Sequence, residues 1–462
     1  MGHFSMHGAK RGNLRDFLRN SRGTVSVMMA FSAIPFILAA GAAIDFARIS
    51  REQVEFAAAV DSAALAIAAS PRGDLTGLTP SEQEARMAEL ELWADAIIAQ
   101  NYSASDDNPI TSDLEITDST VTLTAEHALP TTIMAMVGIE DTELHVLSEV
   151  TKAGNSIEVS LVLDITGSMS GSKIASLRTA AKNFVDTVVA VDQVPFYSKV
   201  ALVPYSMGVN VGTYAVAARG SITSGTSTTP GSANYRFRNP SNAWKTFAIS
   251  NCVSERTGAQ AYTDAPVSTN KVGRNYPSPA NTCPTATILP LTSNKTTLKN
   301  SIDTYGASGS TAGQIGVAWG WYMLSRDFGL FSGSSQPAAY GTEDLKKIAV
   351  LMTDGDFNSP HCNGVISKDA GSGSGSSDEH INCNATNGSA FTQSLNLCTA
   401  MKAKGILVYT IAFNVASGSP AQSIMNSCAS GAGYAYDAAN ETQLQAVFQS
   451  IGKSLLALRL SK

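Results

Sequence analysis

Continuous apolar runs recur along the second half of the chain: 159–163 (Val-Ser-Leu-Val-Leu), 199–203 (Lys-Val-Ala-Leu-Val), 347–352 (Lys-Ile-Ala-Val-Leu-Met), 405–411 (Gly-Ile-Leu-Val-Tyr-Thr-Ile) and a shorter one at 433–436. Runs of this length without in/out alternation predict strands buried on both faces, as in a parallel sheet. Between them the period changes to that of a helix. Ile174, Leu177, Ala181, Phe184, Val185 and Val188 share one helical face, and Ile315, Ala318, Trp319 and Tyr322 another. After Asn440, with Gln443 completing a cap, Leu444, Val447, Phe448, Ile451 and Leu455 give a last helix. Strands alternating with helices predict an α/β fold with a doubly wound, mostly parallel sheet over 154–462.

The first half reads differently. Thr24 to Ile44 carries no charge and is long enough to span a bilayer. Lys10, Arg11, Arg15, Arg19 and Arg22 precede it against the single acid Asp16. The positive-inside rule then puts the basic tail, 1–23, in the cytoplasm and everything after residue 45 across the membrane. A cleaved signal peptide is the alternative, but no A-x-A site stands between the apolar run and Asp45. Phe46, Ile49, Val54, Ala57, Val60, Ala64 and Ile67 continue the helical period to about Ser70. A second helix is expected from Ser81 to Asn101, with Ser81 as cap and Glu84 closing a capping box. Strand patterns follow at 114–116, 121–124 and 144–147, so 45–153 is a small α+β region. In the second half the pattern fails over 212–290 and 358–387, which read as insertions, the latter with a flexible linker at Gly371–Gly375.

The candidate chemistry sits where the strands end. Asp164-Ile165-Thr166-Gly167-Ser168 closes the first run with a carboxylate and two hydroxyls. Thr353-Asp354-Gly355 closes another, and Gly309-Ser310-Thr311 opens a helix. Ligands of open α/β sheets bind at the carboxyl ends of strands. Carboxylates and hydroxyls without His or thiolate are ligands for a hard cation such as Mg²⁺. A helix cap explains one hydroxyl of the Asp164 loop but not all three groups. His3, His7, His127, His145, His361 and His380 are scattered, and none lies in these loops. No general base or nucleophile accompanies them in sequence, so a binding protein is expected rather than an enzyme, with a metal-dependent enzyme as the alternative.

D-x-T-G-S, a later Gly-Ser-Thr before a helix, and Thr-Asp-Gly after a strand together resemble a von Willebrand factor A domain. The resemblance implies a metal-ion-dependent adhesion site with Asp164, Thr166, Ser168, Thr311 and Asp354 as ligands to Mg²⁺, Mn²⁺ or Ca²⁺. It also implies an open coordination position for an acidic group of a protein partner. Thr166 stands where that family usually has Ser, which keeps the hydroxyl. Arg22-Gly23, the run ending Gly41-Ala42-Ala43-Ile44-Asp45 and the alanine-rich Asp61-Ser62-Ala63-Ala64-Leu65-Ala66 resemble the N-terminal module of TadG-like proteins of the Tad/Flp pilus-assembly systems. That resemblance implies a single-pass bacterial inner-membrane protein with its bulk in the periplasm and pilus or secretion components as partners. A surface adhesin or receptor unrelated to pili is the alternative. Arg22-Gly23 before an apolar run also has a prepilin layout. The fifth residue after Gly23 is Met28, where Tad-type pilins carry Glu, so an uncleaved anchor is expected.

Composition narrows the picture further. The 462 residues carry a net charge of −6 with no basic patch interleaved with aromatics, which disfavours nucleic acid as a partner. All six cysteines (Cys252, Cys283, Cys362, Cys383, Cys398 and Cys428) follow the predicted membrane helix, where an oxidising compartment favours disulfides. Nearest-neighbour pairing is the expected connectivity. A zinc site from His361, Cys362, His380 and Cys383 is the alternative.

Overall fold

The computed structural model describes residues 21–460 apart from 74, 76, 77, 105–107, 118, 119, 153 and 192, and gives 21–26, 71 and 460 as backbone alone. The basic segment 1–20, with His3 and His7, lies outside the described residues. The chain divides into two compact units, Met1–Lys152 and Ala153–Lys462.

In the first unit one helix runs from Ser21 to Ala68, and its part from Val27 onward is long and apolar enough to cross a membrane. Its N-terminal half is exposed, Met28, Phe31 and Phe36 among it, while Phe56, Val60, Ala64 and Ile67 are buried. They pack on the helix Pro80–Asn101 and on an antiparallel sheet of Thr111–Ile116, Thr120–Pro130 and Asp141–Thr151. The second helix begins two residues earlier than the Ser81 cap predicts. Its cap is Thr79, whose backbone N–H donates to Glu82 at 2.8 Å, with Pro80 in the first helical position. Both Thr79-x-x-Glu82 and Ser81-x-x-Glu84 fit the box, and Pro80 favours the first, because its fixed φ and missing N–H suit the first helical position. Asp45, the first charge after the apolar run, is 2% exposed. It accepts backbone N–H groups from Ile133 at 2.7 Å and Met134 at 2.8 Å, which holds the connection between the second and third strands against the long helix.

In the second unit a nine-stranded sheet is built on five parallel strands in the order Ser198–Tyr205, Ser156–Asp164, Leu345–Thr353, Leu407–Phe413 and Ala435–Ala438. Successive side chains leave a strand on opposite faces, and here both faces are covered. Val159, Leu161, Leu163, Val350 and Ile411 join one core, with the helices Ser172–Val188 and Glu441–Leu460. Val162, Ala201, Ala349, Leu351 and Val408 join the other, with the helices Gly313–Tyr322, Ala390–Ala403 and Pro420–Cys428. That is why these strands read as unbroken apolar runs.

Antiparallel strands complete the edge of this sheet, Val209–Asn210 just before the region 212–290 and Cys252–Ser254 and Gly273–Arg274 within it, and that region also forms a separate three-stranded sheet of Thr223–Ser227, Ser232–Arg238 and Trp244–Ala248. The segment Gly371–Gly375, expected to be a flexible linker, is instead pinned. Asn358 donates its side-chain amide to Ser372 O at 2.9 Å, Asn281 reaches Ser374 O, and Ser374 is buried. Its glycines, including Gly373 and Gly375 at positive φ, supply turn geometry for a fixed loop. The disulfides are Cys252–Cys283, Cys362–Cys383 and Cys398–Cys428, the nearest-neighbour pairing. Cys362 and Cys383 are bonded to each other, which excludes them as zinc ligands.

One polar device sits inside this sheet. Glu158 is 0% exposed; it binds Lys347 on the adjacent strand and accepts from Tyr197 Oη at 3.0 Å and Ala338 N at 2.9 Å. Removing one charge of a buried pair strands the other, at a cost of about 3–5 kcal/mol. Lys347→Met should therefore lower stability by about that amount in urea unfolding of the second unit, and Lys347→Met with Glu158→Leu should recover most of the loss. A double variant no more stable than the single one would contradict this.

Candidate metal centre

Parallel pairing sets the geometry. Leu163 is in register with Met352, and Asp164 with Tyr205, so three strand ends finish side by side and their loops emerge from one edge. Three loops then meet pairwise. The Asp164 loop touches the Thr311 loop through Gly167 N–H to Gly309 O at 2.8 Å and Ser308 N–H to Ile165 O at 2.9 Å. It touches the Asp354 loop through Ser168 Oγ to Asp354 Oδ1 at 2.6 Å and Thr353 Oγ1 to Asp164 Oδ2 at 2.8 Å. Asn358 closes the triangle: its N–H donates to Thr311 O at 2.9 Å, and its Oδ1 accepts Thr311 N–H at 3.0 Å.

Two glycines make the approach possible. Gly309 has φ +81°, and a side chain there would crowd Asn281 and Ser206. A Cβ at Gly313 would lie 2.1 Å from the Phe357 ring, so the helix carrying Thr311's neighbours packs directly on the Asp354 loop.

The structure thus draws the five predicted residues into one neighbourhood. Thr166 and Ser168 hydroxyls are 2.9 Å apart, and Ser168 bridges onward to Asp354. Asp164, Thr166, Thr311 and Asp354 are buried, whereas Gly167 and Ser168 are exposed, so the cluster reaches solvent at the tip of the Asp164 loop. Thr311 is tied to the cluster by its backbone. Asp164 accepts three hydrogen bonds, from Thr166 N at 2.9 Å, Tyr205 Oη at 3.2 Å and Thr353 Oγ1. Burial, followed by repulsion from Asp354, raises its carboxyl to about 6. Burial and the Asp164 charge likewise push the Tyr205 phenol well above its ordinary range, which keeps it a donor.

Lys173, Tyr205, Thr353 and Asn358 were not candidates from sequence. Lys173 follows the motif closely, and its ammonium lies 2.8 Å from Asp354 Oδ2. Tyr205 and Asn358 carry no local signal: only the sheet register brings Tyr205 beside Asp164, and Asn358 works through backbone contacts. Among the described residues no three or more His, Cys, Asp or Glu side chains cluster within reach of one ion. A metal here would rest on two carboxylates and hydroxyls. That donor set fits a hard divalent cation, since all its atoms are oxygens and its two carboxylates repel each other in a buried place.

Residues 23–70 match the family model described as putative Flp pilus-assembly TadE/G-like. Among solved structures, the chain is similar to the pilus adhesin SpaC from Lactobacillus rhamnosus GG in its open conformation, at 14% identity and TM-score 0.35, over 77% of this chain and 35% of that one. It is similar to the vWF domain of the type V pili tip protein Mfa5 from Porphyromonas gingivalis, at 10% identity and TM-score 0.38, over 66% of this chain and 97% of that one. The pilus adhesin RrgA from Streptococcus pneumoniae is similar at 11% identity and TM-score 0.36, over 75% of this chain and 49% of that one. The chain spans about a third of the SpaC adhesin. No curated protein is similar to it in sequence.

The raised Asp164 carboxyl has a measurable consequence. Above about pH 4 the unfolded chain has released a proton that the native state still holds, so this group's contribution to stability falls as pH rises from about 4 to about 6. In EDTA, urea midpoints of the second unit should show that decline, and Asp164→Asn should flatten it. A wild-type profile that rises across this window and is unchanged in the variant would contradict the assignment.

Proposed function

We propose that this chain is a single-pass, membrane-anchored component of Tad/Flp pilus assembly whose exported domain, a von Willebrand A-type doubly wound fold, binds a protein partner through a divalent cation. The observation that carries it is the joining of two things in one chain. Residues 23–70 match a pilus-assembly family, and the second unit carries three oxygen-bearing loops bonded to one another at one edge of a mostly parallel sheet.

Asp164, Thr166, Ser168, Thr311 and Asp354 would hold Mg²⁺, or Mn²⁺ or Ca²⁺ in its place. Both Asp164 oxygens already accept hydrogen bonds, so that carboxylate suits contact through a water, with the hydroxyls and Asp354 as direct donors. The cation would add positive charge beyond the Lys173 ammonium that already pairs with Asp354. Few anionic ligands leave it electron-poor, and the exposed Ser168 side leaves room for an acidic group of the partner to complete its shell. The groups hydrogen-bonded around the cluster favour binding over catalysis: Tyr205 is held protonated and Lys173 is occupied by Asp354. The apolar helix supports an inner-membrane anchor with the basic tail in the cytoplasm and both folded units in the periplasm.

Calorimetry on the second unit should show Mg²⁺ or Mn²⁺ binding that Asp164→Ala abolishes while the melting transition is retained. Equal binding by wild type and variant would sink the cation site. Crosslinking in intact cells should capture pilus or secretion components in wild type and lose them in the same variant.

The anchor carries its own test. N-terminal sequencing of protein extracted from membranes should find residues upstream of Gly23. A mature terminus at Thr24 would mean processing as a pseudopilin, and one near Ala42 a released, soluble product.

A further inference from the structure

A cavity of about 500 Å³ opens in the second unit between the antiparallel edge strands and the Cys362 loop, on residues other than those of the metal centre. Arg219, Lys271 and Arg274 line it. None of the three meets a carboxylate among the described residues. Arg219 Nη1 bonds only the carbonyl of its own neighbour Gly220 at 3.3 Å, Arg274 Nη2 bonds Ser221 O at 3.4 Å, and Lys271 Nζ bonds Ala217 O at 2.9 Å. Arg219 is 4% exposed, and the Nε atoms of both arginines are buried without a hydrogen-bond partner. Burial and the neighbouring Arg274 charge together lower the Arg219 guanidinium below its ordinary range.

Glu255 is the one carboxylate in the lining, and it is already engaged. Its Oε1 accepts Gln314 Nε2 at 2.7 Å and His361 N at 3.1 Å, and its Oε2 lies 3.3 Å from His361 Nδ1. A buried Arg219 beside a half-buried Arg274, each with its Nε unfilled, is costly unless an anion pairs with them. The rest of the wall includes neutral polar residues, Thr257, Asn363, Thr386 and Ser254, the last with its hydroxyl donating to Arg274 O at 2.7 Å. The volume lies in the range of small-ligand sites.

We propose that this cavity binds a small polyhydroxylated anion, an acidic sugar whose carboxylate or phosphate sits on Arg219 and Arg274 and whose hydroxyls meet the neutral polar wall. Bidentate pairing with a guanidinium suits either acidic group. Lys271, at the exposed lip, adds charge at the entrance. The site is independent of the cation proposed at Asp164.

The test is calorimetric titration of the full chain in detergent micelles, in EDTA, with glucuronate, glucose 6-phosphate and glucose. At least one of the two anions should bind saturably and at least tenfold more tightly than glucose, and which anion binds better identifies the acidic group the site prefers. Arg274→Gln should weaken that binding at least tenfold. Lys271→Gln, at a surface position that leaves the fold intact, should weaken it severalfold with an unchanged melting temperature. Absence of saturable binding by either anion, equal affinity for glucose, or binding unaffected by Lys271→Gln would overturn the proposal.

Discussion

Two carboxylates, Asp164 and Asp354, are held close to each other at the ends of adjacent parallel strands, and most of the architecture around them answers the repulsion this creates. Register fixes the problem, because Leu163 pairs with Met352 and the next residue on each side is acidic or leads directly to an acid. Hydroxyls from Thr353, Tyr205 and Ser168 donate into the pair, Lys173 offsets the charge of Asp354, and burial and the Asp354 charge raise the Asp164 carboxyl above its ordinary range. Each of these groups sits on a different element. The carboxylate pair therefore ties together both core strands, the first helix of the second unit and the neighbouring strand end.

That dependence also explains what a sequence reader sees and misses. Strands buried on both faces are legible as unbroken apolar runs, and Asp164, Thr166 and Ser168 stand out because they follow such a run at once. Thr311 and Asp354 are legible by the same logic. Tyr205 is invisible until the order of strands is known, since an aromatic at a strand end is ordinarily core. Asn358 is harder still: its role is to clamp Thr311 through backbone atoms, which any Asn could do at many places. The glycine-serine run at 371–375 misleads in the opposite direction. Its composition says flexible, but the side chains that fix it lie outside the run, Asn358 at the start of the same insertion and Asn281 far away in sequence. The Ser81 cap fails for a local reason, two overlapping boxes resolved by Pro80.

The two insertions share a physical task. Cys252–Cys283 and Cys362–Cys383 staple segments that lack long strands of their own, and Asn281 and Asn358 connect those segments to the loops around Thr311. Ser310 receives hydrogen bonds from both Asn281 and Ser359, so the decorated part of the domain braces the loop that completes the candidate metal centre. In the first unit a single buried acid does comparable work, with Asp45 binding successive backbone N–H groups at the point where the long helix passes from exposed to packed surface.

The most direct test of this account is a crystal structure of the second unit soaked in Mn²⁺, with anomalous scattering recorded at the manganese edge. The account predicts one strong peak bounded by Ser168 Oγ, Thr311 Oγ1 and Asp354, with Lys173 drawn away from Asp354. A peak elsewhere on the domain, or none at saturating Mn²⁺ with Lys173 still paired to Asp354, would contradict it.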